Sequence, residues 1–395
     1  MDDQSPPQPP PFQPPPPPPA PRPPLAPPPI ISAPPASRTG CSSVWRVLAI
    51  VFLALLCLSF LFWMLSFSHA VAPRGRALTD RSRALEEVMI EQTNGDNKIA
   101  VISVDGIITS RNVDNSSMNL VQFISEQLKT AERDSDVKAV ILKVNSPGGE
   151  VLASDDISTA IKNFQEKSHK PVVASMGALA ASGGYYISAP CRWIVANELT
   201  ITGSIGVIMD TWNYRALMNK VGIRPHVFKS GRFKDMLSGE REPDTDKLSP
   251  EEQKTRQEED QIVQSFIDET YNKFKTVVKT GRTHAAGKNE GNGKVLVENW
   301  QDYADGRVLT GKSALELGFV DELGDFDTAV KRAEKLANVP GASLVEYRVL
   351  FDFQSVLSHL FGKSDVPALK VDLGIGPPQL EAGRPYYILP TAVLH

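Results

Sequence analysis

Two short apolar runs, each ending in paired glycines, restrict this chain more than any other feature. Lys138–Val144 (KAVILKV) passes through Asn145-Ser146-Pro147-Gly148-Gly149 into a helical pattern over Val151–Phe164. Pro171–Met176 (PVVASM) leads to Ala181-Ser182-Gly183-Gly184, with helix expected over Gly183–Ala189. Short apolar runs of this kind suit buried strands, and strands alternating with helices predict an α/β body on a largely parallel sheet. Both glycine pairs fall at a strand-to-helix junction. In open α/β sheets, functional groups gather beyond the carboxyl ends of the strands.

The remaining pattern extends that body. Lys98–Thr109 (KIAVISVDGIIT) reads as a strand, a glycine turn and a second strand, and Asn119–Ala131 has helical periodicity. Arg192–Ala196 and Pro225–Lys229 read as further strands. Pro250–Thr280 is a long charged amphipathic helix, and Thr283–Lys294 a flexible glycine-rich connection. Helices over Thr310–Leu317 and Asp325–Leu336 close the body, and no internal repeat is found. From about Val356 the periodicity fades, which predicts a loosely ordered tail.

The N-terminus obeys different rules. More than half of the 32 prolines lie in the first forty residues, a composition that cannot form a core and predicts a disordered or polyproline-like spacer. Val47–Phe67 then carries no charge and has about the 20 residues needed to cross a bilayer as a helix. Trp45 and Trp63 lie near its ends, where amphipathic rings favour the interface. Ala70-Val71-Ala72 has the small-x-small form of a signal-peptide cleavage site, but the long region before the span favours a retained anchor. The expected organisation is a Pro-rich segment over 1–43, an anchor over 44–68, a linker over 69–97, a globular domain over 98–350 and a tail over 351–395. Arg38 and Arg46 precede the span while Arg74, Arg76, Arg81 and Arg83 follow it, so the positive-inside rule puts the body in the cytoplasm.

Composition removes several functions. A net charge of −4 gives no ground for nucleic-acid binding, which depends on concentrated positive charge. Three cysteines, two of them in or beside the apolar span, build no disulfide framework and leave the redox compartment open. Neither His-Glu-x-x-His nor Cys-x-x-Cys spacing occurs, so zinc hydrolysis has no support.

Adjacent glycines let backbone N–H groups approach an incoming atom, and two such donors aimed at one point stabilise the oxyanion of acyl transfer. Ser182 stands at one of these junctions. A serine before a helix is most often its N-cap, and the chain lacks the Gly-x-Ser-x-Gly elbow of α/β-hydrolases. A nucleophilic serine also needs a base, and none of the 6 histidines is well placed for it. Lysine is the remaining candidate. Lys229 and Lys234 flank a glycine turn in Lys229-Ser230-Gly231-Arg232-Phe233-Lys234-Asp235, although a lysine there is ordinarily a solvated surface group. The residues alone thus reach an α/β protein with a candidate oxyanion site.

Five motifs go further: NSPGG, GALAASGGYYIS, TGSIGVI (Thr202–Ile208), KSGRFKD and GRVLTGKSALELGFVDELG (Gly306–Gly324). In order and approximate spacing, over Lys98–Leu336, they resemble the signal peptide peptidases of the SppA type, in the short bacterial form with one catalytic unit. The resemblance implies a ClpP/crotonase-like βαβ-repeat fold, preceded here by the transmembrane helix. It also implies a serine endopeptidase with Ser182 as nucleophile and Lys234 as general base, Lys229 being the alternative, and with no metal or cofactor required. Gly149 and Gly183 would supply the oxyanion N–H groups, and Ser204 would orient the lysine. The implied substrates are remnant signal peptides and other membrane-associated or unfolded peptides. The implied assembly is a homo-oligomer with sites at protomer interfaces. It sits in the cytoplasmic membrane with the catalytic body on the outer, periplasmic side, against the arginine count. A non-catalytic membrane scaffold of the same fold, or a crotonase-type acyl-CoA enzyme, are the competing readings.

Overall fold

The computed structural model describes residues 50–53, 55–56, 58–59, 85–93, 95–111, 118–349 and 385–388. The chain divides into two compact units, Met1–Thr79 and Asp80–His395. In the first, the described residues between 50 and 59 are helical, with the side chains of Phe52, Leu53, Leu55 and Leu58 exposed. The rest of the expected span Val47–Phe67, like the Pro-rich segment, lies outside the described residues. Among the described residues no helix is long and apolar enough to cross a membrane.

The second unit is a mixed sheet with helices on both faces. Its strands are β1 (Leu85–Glu91), β2 (Lys98–Asp105), β3 (Val137–Ser146), β4 (Gly148–Glu150), β5 (Val172–Ala181), β6 (Trp193–Ala196), β7 (Ile201–Gly203), β8 (Val308–Thr310), β9 (Glu322–Leu323), β10 (Ser343–Val349) and β11 (Tyr386–Ile388). The helices are α1 (Leu120–Arg133), α2 (Val151–Ser168), α3 (Gly183–Ser188), α4 (Arg215–Lys220), α5 (Pro250–Lys288), α6 (Gly311–Glu316) and α7 (Phe326–Ala337). The main sheet runs β1-β10-β2-β3-β5-β6-β9, and β7 joins the distal half of β5 with β8 beyond it. β1–β10 and β7–β8 are antiparallel, and the other pairs of this sheet are parallel.

Strand periodicity sorts the core. Ala100, Ile102 and Val104 of β2 face one side, where they join Leu142 and Val144 of β3 and Ile157 and Ile161 of α2. The alternate residues Ile99 and Val101 face the other, against Ala329 and Ala333 of α7. Capping boxes at Asn119/Gln122, Ser249/Glu252 and Asp325/Thr328 start α1, α5 and α7 where the chain leaves its loops.

Several expectations are corrected. Pro225–Lys229 forms no strand; it lacks a pairing partner, and Val227 and Phe228 are exposed. The connection expected over Thr283–Lys294 is helical as far as Lys288. Its anchor is a buried ion pair between Arg282 and Asp321, both side chains fully out of solvent. Asp321 also accepts the N–H groups of Ile194 (2.8 Å) and Lys294 (3.0 Å), and Arg282 donates to the Cys191 carbonyl (3.2 Å). These contacts lie far apart in sequence, so local glycine content pointed the wrong way. β1 lies inside the expected linker, where β10 pairs with it, and β11 lies inside the expected loose tail.

Removing one member of a fully buried pair leaves the other charge uncompensated, at a cost of about 3–5 kcal/mol. Asp321→Ala should therefore lower the urea midpoint of the body strongly. Cys191, whose thiol burial pushes up to about 12 against the opposing charge of Arg282, provides a second readout. Peptide mapping after alkylation in mildly alkaline buffer should find Cys191 unmodified in the folded wild type and modified in that variant.

Candidate active site

β5 ends at Ala181, which pairs with Gly203 of β7. The next residue, Ser182, turns into α3 with φ 53° and ψ −115°, a conformation that L-residues rarely adopt. Two main-chain bonds hold it there: Ser182 N–H donates to the Gly203 carbonyl (2.8 Å), and Tyr186 N–H donates to the Ser182 carbonyl (2.8 Å). The side chain makes no capping hydrogen bond, so the N-cap role expected of a serine before a helix is not the one it plays. Strain of this kind persists only where surrounding structure imposes it, and it concentrates at functional sites.

The first glycine pair meets the second across a very short distance. A Cβ on Gly183 would lie 2.7 Å from Ser154 Oγ and 3.0 Å from the Gly148 Cα. One on Gly149 would lie 1.9 Å from the Ile108 carbonyl oxygen. No other residue allows these approaches. β4 is held rigidly: Ile108 N–H donates to the Gly148 carbonyl (2.9 Å) and Glu150 N–H to the Ile108 carbonyl (2.8 Å). The Glu150 carboxylate accepts from Thr109 Oγ1 (3.0 Å), Ser110 N–H (3.1 Å) and Ser110 Oγ (2.6 Å). Glu150 gives no hint of this role in the sequence.

Ser204 follows the β7 residue paired with Ala181, so it neighbours Ser182 through the sheet register. It is buried, carries φ 51°, and its N–H donates to the Arg307 carbonyl (2.7 Å). The fold thus gathers Ser182, Gly183, Gly149 and Ser204. It does not gather the lysine. Lys234 is exposed, and no hydrogen bond or ion pair joins its amine to Ser182. Lys229 pairs with Asp235 (2.8 Å). Burial pushes the Asp235 carboxyl up, but the Lys229 hydrogen bond and the Arg241 charge outweigh it and hold the group below its usual range. The segment carrying both lysines exposes Trp212 (78%), Leu217 (62%), Val221 (62%) and Phe228 (86%).

Comparison with known proteins gives these residues a context. The model of peptidase family S49 matches residues 164–340, and that of Clp protease matches residues 91–193. A Synechocystis protein described as a candidate protease is 38% identical over 72% of this chain and 90% of its own length. A candidate signal peptide peptidase SppA of Enterococcus faecium is 34% identical over 68% of this chain and 72% of its own. The Arabidopsis thaliana "Serine protease SPPA, chloroplastic" is 32% identical over 63% of this chain and 34% of its own.

The strain at Ser182 is measurable. Glycine adopts this backbone conformation freely, so Ser182→Gly should raise stability by roughly 1 kcal/mol while removing the hydroxyl. Ser182→Ala, which keeps the Cβ, should leave the melting temperature unchanged. A destabilised glycine variant would show that the positive φ carries no strain.

Proposed function

The chain belongs to peptidase family S49, has a ClpP-like α/β fold and is a serine protease, and on that premise we propose that Ser182 is its nucleophile and Lys234 its general base. The observation that carries this is the strained Ser182 beside the Gly149 and Gly183 main chain, with its side chain uncommitted to capping. Lys234, as the free amine, removes the Ser182 proton, and Oγ attacks the peptide carbonyl. The N–H groups of Gly149 and Gly183 hold the oxyanion, each such donor being worth about 10²–10³ in rate. The amine departs with the proton from the lysine, and water then releases the acyl group with Lys234 again as base. Ser204 holds the lysine in line. No step calls for a cofactor.

The same reading assigns the lysine to a neighbouring copy. Within one chain Lys234 is exposed and remote from any bond to Ser182, and its segment exposes an apolar set larger than a solvated loop needs. A closed homo-oligomer buries that set and delivers the base in the same contact. Residues 44–68 anchor this assembly in the cytoplasmic membrane, with the protease body on the outer, periplasmic side. Extended peptides, including remnant signal peptides and unfolded membrane-associated segments, are the substrates.

Lys234→Arg should be inactive, because arginine does not deprotonate. Ser182→Ala and Lys234→Ala should each be inactive alone and complement when mixed. Equal random mixing in a closed ring with one interface type leaves roughly a quarter of the sites with both residues. Peptide hydrolysis after co-refolding, with mixing verified by native mass spectrometry, measures this. Activity no higher than in the single variants would show that each chain builds its own dyad.

A further inference from the structure

Residues 229–241, which carry both candidate lysines, hold no strand and no helix. Their own hydrogen bonds are local: Lys234 N–H donates to the Gly231 carbonyl (3.1 Å), Met236 N–H to that of Phe233 (3.0 Å) and Ser238 N–H to that of Asp235 (3.1 Å). Bonds of this range shape a turn without fixing it to anything. Charge fixes it to the long helix α5. Glu259 of that helix is 2% exposed, and a carboxylate taken so far out of water needs a matched cation. Arg241 supplies it, with Nη1 donating to both oxygens (2.8 and 2.7 Å). Nε of the same guanidinium lies 3.7 Å from the Asp235 carboxylate. Asp235 in turn accepts from Lys229 Nζ (2.8 Å), which also donates to the Arg232 carbonyl (3.2 Å).

Glu259, Arg241, Asp235 and Lys229 thus alternate in sign along one series of contacts that begins on a regular helix and ends beside Lys234. Arg232 pairs with Glu258, so two successive carboxylates of α5 hold the turn. The residues next to Trp212 are tied to the same place: Asn213 Nδ2 donates to the Arg241 carbonyl (3.0 Å) and Tyr214 N–H to the Gly239 carbonyl (2.9 Å). Lys234 stands apart from this network. Among the described residues, its amine makes no hydrogen bond and no ion pair. A carboxylate in contact with a lysine amine favours the charged form, which cannot take a proton. Asp235, the acid next to Lys234 in sequence, is committed to Lys229 and Arg241 instead.

We propose that Glu259 and Arg241 are positioning residues for the general base: they fix the turn bearing Lys234 on α5 and, with Lys229, keep the Asp235 carboxylate off its amine. This rests on the reading of Lys234 as the base, and it makes Lys229 a positioning residue and not a base. A reacting group displaced by about 1 Å can cost about a hundredfold in rate, so the effect falls on kcat and leaves KM in place.

The double variant Arg241→Met/Glu259→Met replaces both charges by apolar side chains, an exchange that buried ion pairs tolerate without loss of stability. Its melting temperature should stay native, while kcat on a fluorogenic peptide should fall about a hundredfold at unchanged KM. A pair that serves stability alone predicts native kcat in this variant, and that result would overturn the proposal. So would a double variant that fails to fold, or a loss of kcat that only follows loss of the wild-type oligomeric state in native mass spectrometry. Lys229→Met, at an exposed position, frees Asp235 from one of its cations. The acid limb of its kcat/KM profile should move to higher pH, with wild-type activity regained in alkaline buffer, because a nearby anion raises the pKa of an amine. An unshifted limb, or inactivity at every pH, would also overturn the proposal. Lys234→Ala tests the premise separately. Activity retained there removes the base assignment itself, whereas an inactive Lys234→Ala beside a double variant of native kcat overturns the positioning role alone.

Discussion

The Arg282–Asp321 pair sets the position of everything on the helical side of the site. Both groups are fully buried, so their desolvation is offset only by closely matched partners, and Asp321 has them in the guanidinium and two backbone N–H groups. Those N–H groups belong to Ile194 of β6 and to Lys294 beyond α5, while Arg282 reaches back to Cys191 at the turn after α3. One carboxylate therefore fixes the long helix against both the sheet and the short helix. The closeness is visible at Gly281, where a Cβ would fall 2.5 Å from the Ala189 carbonyl. From that docking follow Phe274, about two turns up the helix, which packs on the rings of Tyr186 and Tyr387, and Thr270, about three turns up, whose carbonyl accepts the Tyr387 hydroxyl. Arg282 Nε is left without a partner, which fits a pair retained for placement more than for net stability.

A second constraint works inside that frame. Ser182 accepts a left-handed backbone because the residues around it leave no other path: Gly203 fixes its N–H, α3 begins at once, and Gly183 and Gly184 press on the Ser146–Gly148 turn. A Cβ on Gly184 would lie 2.7 Å from the Ser146 carbonyl, as tight as the contact at Gly183. Stability given up at one serine is what keeps its hydroxyl from the capping bond that a relaxed serine would make.

Legibility in the sequence followed the range of the interactions. β3, β5 and β6 were readable because strands buried on both faces are apolar throughout, and the Ser182 junction because two glycine pairs mark it. α7 was readable from its amphipathic face. The segment Thr283–Lys288 was not, since a helix there depends on Asp321 and Asn289, residues whose partners lie in β6 and the turn before it. Pro225–Lys229 has the composition of a strand, but composition supplies no neighbour to pair with. β11 was lost for a related reason: four residues between Pro385 and Pro390 show no periodicity, and only pairing with β4 on one edge and Ile208 on the other gives them a structure. Of the candidate site residues, Ser182, Gly149, Gly183 and Ser204 converge through sheet register, which motif order encodes. Lys234 does not converge within one chain.

That last separation is informative about how such a site is built. A base attached to the same rigid sheet as Ser182 would be present in every folded chain. Lys234 instead stands on an exposed segment whose regular structure is limited to the short helix α4 and one turn of 3₁₀ helix. Large apolar side chains flank it, and water opposes leaving them uncovered. On the proposed reading, the free energy of covering Trp212, Leu217 and Phe228 would be the same free energy that positions the amine, so that assembly and activation would be one event. The strained Ser182 and the close-packed Gly149 and Gly183, to which the proposal gives the rigid half of the chemistry, are all in place within one chain. On the proposed reading the other half would come by contact with a neighbouring copy, and an isolated chain would hold an oxyanion site without its base.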